Sequence, residues 1–406
     1  MSRPRNIPAR SFVALAIMVA LLNSTAASPL YGVYRLRWSL DAFTISAIFA
    51  IYAGGTLLAL LLLGRLSDRL PDRRLVIGGA LLIVIAGALV FGTAGDLHGL
   101  FIGRFLAGIG TGGVTGAANA ALMELDPKLD ARRSAVLATS VFTIGCALGP
   151  IISAACLALD LAPLHLPFLL IAALALVALA GLALAPWHPQ RFAAAPVDPA
   201  LAPVMAQAPP RGPSRLPAFA VAAAGVFIAW TVGSSFAALG PSFVHELLHL
   251  PSMAAAGLIV SLFQLVGGLS QIAAGRLSSN RALIGGVAIV AVATAACLVA
   301  IETASPLAFF AGTVLIGIGY GGAFVGAAGV INRIAPPDRR AGFVSAFYVT
   351  AYLANCLPVL ALGRLGDMFG LAGGFVALTL FTLLAACVQV PAAIAVLRPG
   401  FRRGIR

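Results

Sequence analysis

The chain has 406 residues, 61% of them hydrophobic and only 10% charged, and its mean hydropathy is +1.03. Soluble domains carry roughly 25% charged residues, so a soluble globular class is excluded. The net charge of +13 points toward a polyanionic partner only if the basic residues cluster on a folded surface, and they do not.

Crossing a bilayer as a helix takes about 20 apolar residues. Twelve such runs are predicted, at 11–33, 42–63, 75–95, 99–123, 134–157, 166–185, 217–239, 253–274, 282–301, 306–331, 341–362 and 371–396. The runs are continuous rather than alternating, which favours helices over barrel strands. At the first, three arginines, the apolar stretch "FVALAIMVALL" and then "NSTAAS" form a pattern shared with cleavable leaders. Apolar character resumes at once, so the run is read as a retained span. Alternating the connectors with the amino terminus inside puts 22 of the 26 Lys and Arg residues on the inner side. Only Arg35, Arg37 and Arg364 fall outside, and Arg104 falls within a span. Cytoplasmic loops carry this excess. The basic charge is therefore a topology signal rather than a nucleic-acid surface, and both termini are expected in the cytoplasm. The five cysteines all lie within spans and read as small packing residues.

Between spans two and three lies "GRLSDRLPDRR", Gly64 to Arg74. A weaker copy, "GRLSSNR", Gly275 to Arg281, falls between spans eight and nine. Residues 186–216, rich in Pro and Ala, read as a linker separating six spans from six. The expected organisation is two related halves, 1–185 and 217–406, joined by that linker. Gly64 lets helix ends approach closely, and Asp68 can accept hydrogen bonds from a helix N-terminus. Arg69, Arg73 or Arg74 can pair with Glu124, Asp126 or Asp130 beyond span four. A third look-alike, "GRLGD" at Gly363 to Asp367, falls on the outer side and is expected to lack this role.

In span four, positions 104, 108, 112, 115 and 119 share one helical face: Arg104, Gly108, Gly112, Thr115 and Asn119. A charged side chain within the membrane must face protein or water. Arg104 therefore either handles substrate or protons, or ties down backbone carbonyls of a neighbouring helix. Span five contains "GCALGPIIS", whose Gly145, Gly149 and Pro150 allow tight packing and a bend. Span eleven carries Ser345, Tyr348, Tyr352 and Asn355 on one stripe. With Asn23, Trp230, Gln264, Gln271 and Tyr320, these are the candidate lining of a substrate pathway, suited to amphipathic organic molecules. The acidic residues all lie in loops or near span ends, and there is no Walker-type phosphate loop. No cofactor, metal site or catalytic cluster is expected; His245 and His249 read as part of a membrane-surface helix.

These features resemble the major facilitator superfamily over essentially the full length. Gly64, Leu66, Ser67, Asp68, Arg69, Arg73 and Arg74 fit its signature between spans two and three, although the usual second Gly is missing. Arg104 and Gly108 match a second signature. Gly145, Gly149 and Pro150 match the span-five motif of its antiporters, which here ends in Ser153 and Ala154 instead of two glycines. The resemblance implies an all-α membrane protein of twelve helices in two pseudo-symmetric six-helix bundles, with Asp68 docking on the amino end of span eleven near Ala341. It further implies a monomeric secondary transporter in the inner membrane, not an enzyme, that works by alternating access. Export of small amphipathic compounds is the expected activity, with the span-five motif pointing to proton antiport and the lack of buried acids to a uniporter. Facilitated uptake or uniport of a sugar or organic anion is the alternative in transport, and a transport-inactive receptor the alternative in another class.

Overall fold

The computed structural model describes residues 7–69, 72–126, 129–189, 215–336 and 339–397, without the side chains of 63–69, 131–132 and 341. Among the described residues there is no strand. The helices are α1 Ile7–Ala26, α2 Ser28–Arg37, α3 Ala42–Arg69, α4 Arg73–Gly92, α5 Leu97–Glu124, α6 Ala131–Ala158 and α7 Leu166–Leu184. From residue 215 onward come α8 Leu216–Ser242, with a π-helical turn Phe243–Leu247, then α9 Met253–Ala274, α10 Ser279–Glu302, α11 Pro306–Ile334 and α12 Arg340–Leu397. Eleven helical stretches among them are long and apolar enough to cross a membrane.

The eleventh stretch, Gly342–Leu397, has 56 residues. A straight helix of that length would reach about 80 Å, far beyond a hydrocarbon core of about 30 Å. It breaks at Gly370, φ 76° and ψ 161°, a conformation open to glycine and strained for side-chain-bearing residues. The expected loop between 362 and 371 is thus a correction: the helix runs on through "GRLGD" and turns at one residue. Elsewhere helices start where a loop side chain satisfies a free backbone N–H. Asp72 accepts from Arg74 N, Asp96 from Gly99 N and Asp130 from Arg133 N. Ser252 and Ser305 cap α9 and α11 in the same way.

In lipid there is little hydrophobic drive between helices, so close packing of small residues holds them together. Gly108 and Gly112 press α5 against α3; a Cβ on Gly112 would lie 2.7 Å from Thr56 O. Gly145 and Gly149 press α6 against α1, where Ser153 Oγ also donates to Ala26 O at 2.7 Å and Thr25 Oγ1 to Cys146 O at 3.0 Å. The span-five motif thus serves packing within the amino-terminal helices, around Pro150 inside α6. A Cβ at Gly149 would sit 2.5 Å from Leu22 O and 2.9 Å from Ala26 N, backbone atoms that cannot rotate away. We expect Gly149→Leu to cost about 2 kcal/mol or more, read as thermal melting in detergent. Gly54→Leu, at an exposed site with no atom within 4 Å, should leave melting unchanged.

Two seams join the amino-terminal helices α1–α7 to the carboxy-terminal helices α8–α12. Along one, α3 packs on the first part of α12, where Cys356 Sγ lies 3.4 Å from Ala50 O. Along the other, α6 packs on α9, with Gly268 against Thr143.

Candidate functional site

Where the two seams face each other the helices enclose a central cavity of about 140 Å³. Its amino-terminal wall comes from Ser24, Thr25 and Ser28 around the α1–α2 turn, Phe49 and Tyr52 of α3, Thr111 and Thr115 of α5, and Thr143 and Cys146 of α6. The opposite wall is aromatic and amide-bearing: Trp230 and Ser234 of α8, Phe263, Gln264 and Gln271 of α9, Tyr320 of α11, Tyr352 and Asn355 of α12. The rings interlock. Trp230 meets Tyr352 edge-on at 5.5 Å between centroids, and Tyr320 meets Phe263 edge-on at 5.1 Å. The indole N–H of Trp230 is buried without a hydrogen-bond partner. Such a lining offers π-faces and neutral donors and acceptors to a partly apolar solute.

Of the residues expected in the pathway, Trp230, Gln264, Gln271, Tyr320, Tyr352 and Asn355 line this cavity. Tyr348 does not; it is 39% exposed and rests against Phe347. Asn119 does not either: it is exposed and donates to Thr115 O of its own helix at 2.9 Å. Asn23 is buried beside the wall residue Ser24, its amide nitrogen unpartnered. Arg104 is 1% exposed and stands directly behind the wall. Its Nη1 donates to Ser24 O at 2.9 Å, in the last turn of α1, and its guanidinium carbon lies 4.4 Å over the Tyr52 ring. Arg104 therefore makes the backbone tie considered from the sequence, and both of its partners line the cavity. Unanticipated wall residues are Ser24, Thr25, Ser28, Tyr52, Thr111 and Ser234. The first three sit in "NSTAAS", where small polar residues suggested a cleavage site instead.

The side chains of Gly64, Asp68 and Arg69 lie outside the described residues, as does that of Ala341, so the expected Asp68 docking falls outside them too. The neighbouring cations are placed. Arg73 pairs with Glu124 at 2.8 Å, one of the expected pairings, and Arg74 pairs with Asp72 at 2.8 Å beneath Trp187. Asp126 is instead taken by Arg10 at 2.8 Å. Arg74–Asp72 is local to the start of α4, and the others, with Arg333–Asn280 and Arg340–Asn332, each stay within the amino-terminal or the carboxy-terminal set of helices.

On the opposite side the polar contacts cross between segments. Arg35 pairs with Glu246. Asp367 accepts from the free backbone N–H groups of Ala42 and Phe43 at 2.7 and 3.0 Å, while Asp41 accepts from Thr44 N at 2.7 Å. The first turn of α3 is thus capped by a carboxylate from α12, favoured by the helix dipole. This corrects the expectation for "GRLGD": its Gly and Asp hold a helix start across the seam, the role foreseen for "GRLSD", at the other face of the protein. Hydrogen bonding from Thr44 is the largest influence on Asp41 and, with Arg364 and Arg35 nearby, holds its carboxyl below the usual carboxylate range against the opposing effect of burial. Its contribution is present above the ordinary carboxylate pKa and is lost as pH falls through its lowered folded value.

The family model for the Major Facilitator Superfamily matches residues 13–359 and, separately, 252–403. The chain belongs to the Major Facilitator Superfamily. It is by family an MFS-type membrane transporter, and solved MFS transporters share its fold. A bacterial homolog of the human lysosomal transporter Spinster, in an inward-facing and occupied conformation, superposes with a TM-score of 0.82 at 16% identity over 98% of either chain. A POT family transporter in complex with 5-aminolevulinic acid gives 0.76 at 15% identity, over 97% of either chain. The nucleoside transporter NupG gives 0.71 at 14%, over 96% of this chain and 99% of its own. No curated protein matches the chain in sequence.

Proposed function

We propose that this MFS member is a monomeric secondary transporter exporting small amphipathic compounds across the inner membrane by alternating access. The cavity carries the reading: it lies between two sets of helices that are clamped together on the side opposite the linker. In this reading the Gly370 break divides α12 into two crossings, completing twelve in two six-helix units, 1–185 and 217–406. The second, overlapping family match over the carboxy-terminal part supports that repeat. The arginine asymmetry orients the linker and both termini toward the cytoplasm, so the clamped side is the outer one and the form described faces inward. The likeness to a protein solved in an inward-facing conformation supports the same assignment.

Coupling has two readings. The span-five resemblance favours proton antiport. No described residue lining the cavity is a carboxylate, and this favours a uniporter. Flux in proteoliposomes with and without an imposed pH gradient separates them: antiport requires the gradient to drive accumulation, whereas a uniporter only equilibrates. Absence of flux for every solute tried, in protein that melts normally, would leave the receptor reading. Reporter fusions after residue 200 should read cytoplasmic, and a periplasmic signal would overturn the orientation.

A further inference from the structure

Arg104 is a guanidinium 1% exposed to solvent, about two turns into α5 from its amino-terminal end, and its Nε and Nη2 have no hydrogen-bond partner. A buried cation is costly unless an opposite charge or a full set of acceptors meets it. Here a single carbonyl and two aromatic faces do so, the second being Tyr31 at 6.0 Å. Among the described residues no carboxylate lines the adjacent cavity, and the acidic side chains sit in loops, at helix ends or, for Asp367, three residues before the Gly370 break of α12. No described side chain of that wall carries an opposite charge. On the far wall the unpartnered indole N–H of Trp230 is a second donor.

We propose that the cavity is selective for anions and takes the monoanionic headgroup, a carboxylate or sulfonate, of an amphipathic solute. This rests on the transport reading above and names its substrate class. Arg104 supplies the counter-charge one side-chain layer behind the surface, through the Ser24 and Tyr52 wall. The arene of the solute lies among Trp230, Tyr320 and Tyr352, and a cationic solute is rejected. Arg104 acts here as a selectivity residue by its field, and the absence of an opposing carboxylate makes that field one-signed. At an effective dielectric of about 20, one charge across one side-chain layer favours an anion over a cation by about tenfold or more.

Trp230 is a built-in reporter, because it lines the cavity. In the full-length protein with Trp38→Phe and Trp187→Phe, its fluorescence can be quenched by iodide, by caesium and by neutral acrylamide. We expect the ratio of iodide to caesium quenching, normalised to free tryptophan, to be about ten or higher. It should fall to near one in Arg104→Gln and persist in Arg104→Lys, which keeps the charge. A wild-type ratio at or below one overturns the proposal, as does exclusion of all three quenchers, since a solute site must admit solutes. A ratio unchanged in folded Arg104→Gln also overturns it. Should that variant fail to fold, the wild-type and Arg104→Lys ratios decide together: the proposal stands if both are about ten or higher and falls if either is near one. Anion preference without flux of any solute would keep the cavity assignment and remove transport; flux through a cavity without the preference would do the reverse.

Discussion

Gly363→Val and Asp367→Asn should each tip the protein toward a form open on the side opposite the linker. At Gly363 a Cβ would lie 2.5 Å from Ser46 Oγ, 2.7 Å from Ala42 O and 2.8 Å from Phe43 Cα. The hydroxyl can rotate, but the two backbone atoms cannot, so α3 and α12 must part there. Wedging a packed contact costs about 1–3 kcal/mol. Asp367→Asn removes a charge from the α3 N-terminus and weakens two charge-assisted hydrogen bonds. That costs about 1 kcal/mol at this exposed position. A penalty confined to one conformation is a population shift, and about 1.4 kcal/mol is tenfold. A Ser28→Cys reporter, buried in the cavity wall near that face, should react with a membrane-impermeant thiol reagent about tenfold faster in Gly363→Val. Asp367→Asn should raise the rate severalfold. Each is measured over the same reporter protein without the variant. Unchanged reactivity with normal flux would reduce "GRLGD" to ordinary packing.

The second large effect lies at the Arg10–Asp126 pair. Asp126 is fully buried, and Arg10 also donates to Ser134 Oγ at 3.2 Å, tying α1, α5 and α6 together on the linker side. Removing one member of a buried pair leaves a desolvated charge and costs about 3–5 kcal/mol. Asp126→Ala should therefore sharply lower the melting temperature in detergent. The double variant Arg10→Met with Asp126→Leu should recover most of that loss, because neither charge is then stranded. Glu124→Gln, which weakens the part-buried pair with Arg73, whose side chains keep 20% and 25% of their exposure, should cost about 1 kcal/mol. Equal effects of Asp126→Ala and Glu124→Gln would refute the role of burial.

Much of the architecture was legible in the residues because lipid imposes a simple constraint: a crossing must be a long apolar helix. Eleven membrane-capable stretches appear close to the runs read from hydropathy, and the last contains both of the final predicted spans. The aromatic and amide residues of α8, α9, α11 and α12 were legible too. Polar groups on an otherwise apolar helix must face protein or water, so Trp230, Gln264, Gln271, Tyr320, Tyr352 and Asn355 could be picked by chemistry alone. The same rule overreached at Asn119, where a short amide satisfied itself on the backbone of its own helix, and at Tyr348, which is partly exposed.

Composition and spacing by themselves determined the membrane class, the approximate spans and the positive-charge asymmetry, because each is a property of a stretch of chain. Tertiary structure alone decided which residues meet. Arg104 fits either a pathway or a packing role from its helix face, and only the approach of α1 and α3 sets it on Ser24 O behind Tyr52. Gly145 and Gly149 show a small face but not the partner, which is α1. Asp367 reads as a loop residue by parity, yet it caps a helix 325 positions away. Contacts across such distances depend on how whole helices are juxtaposed. Local sequence controls a side chain's direction on its own helix and holds no record of what stands opposite.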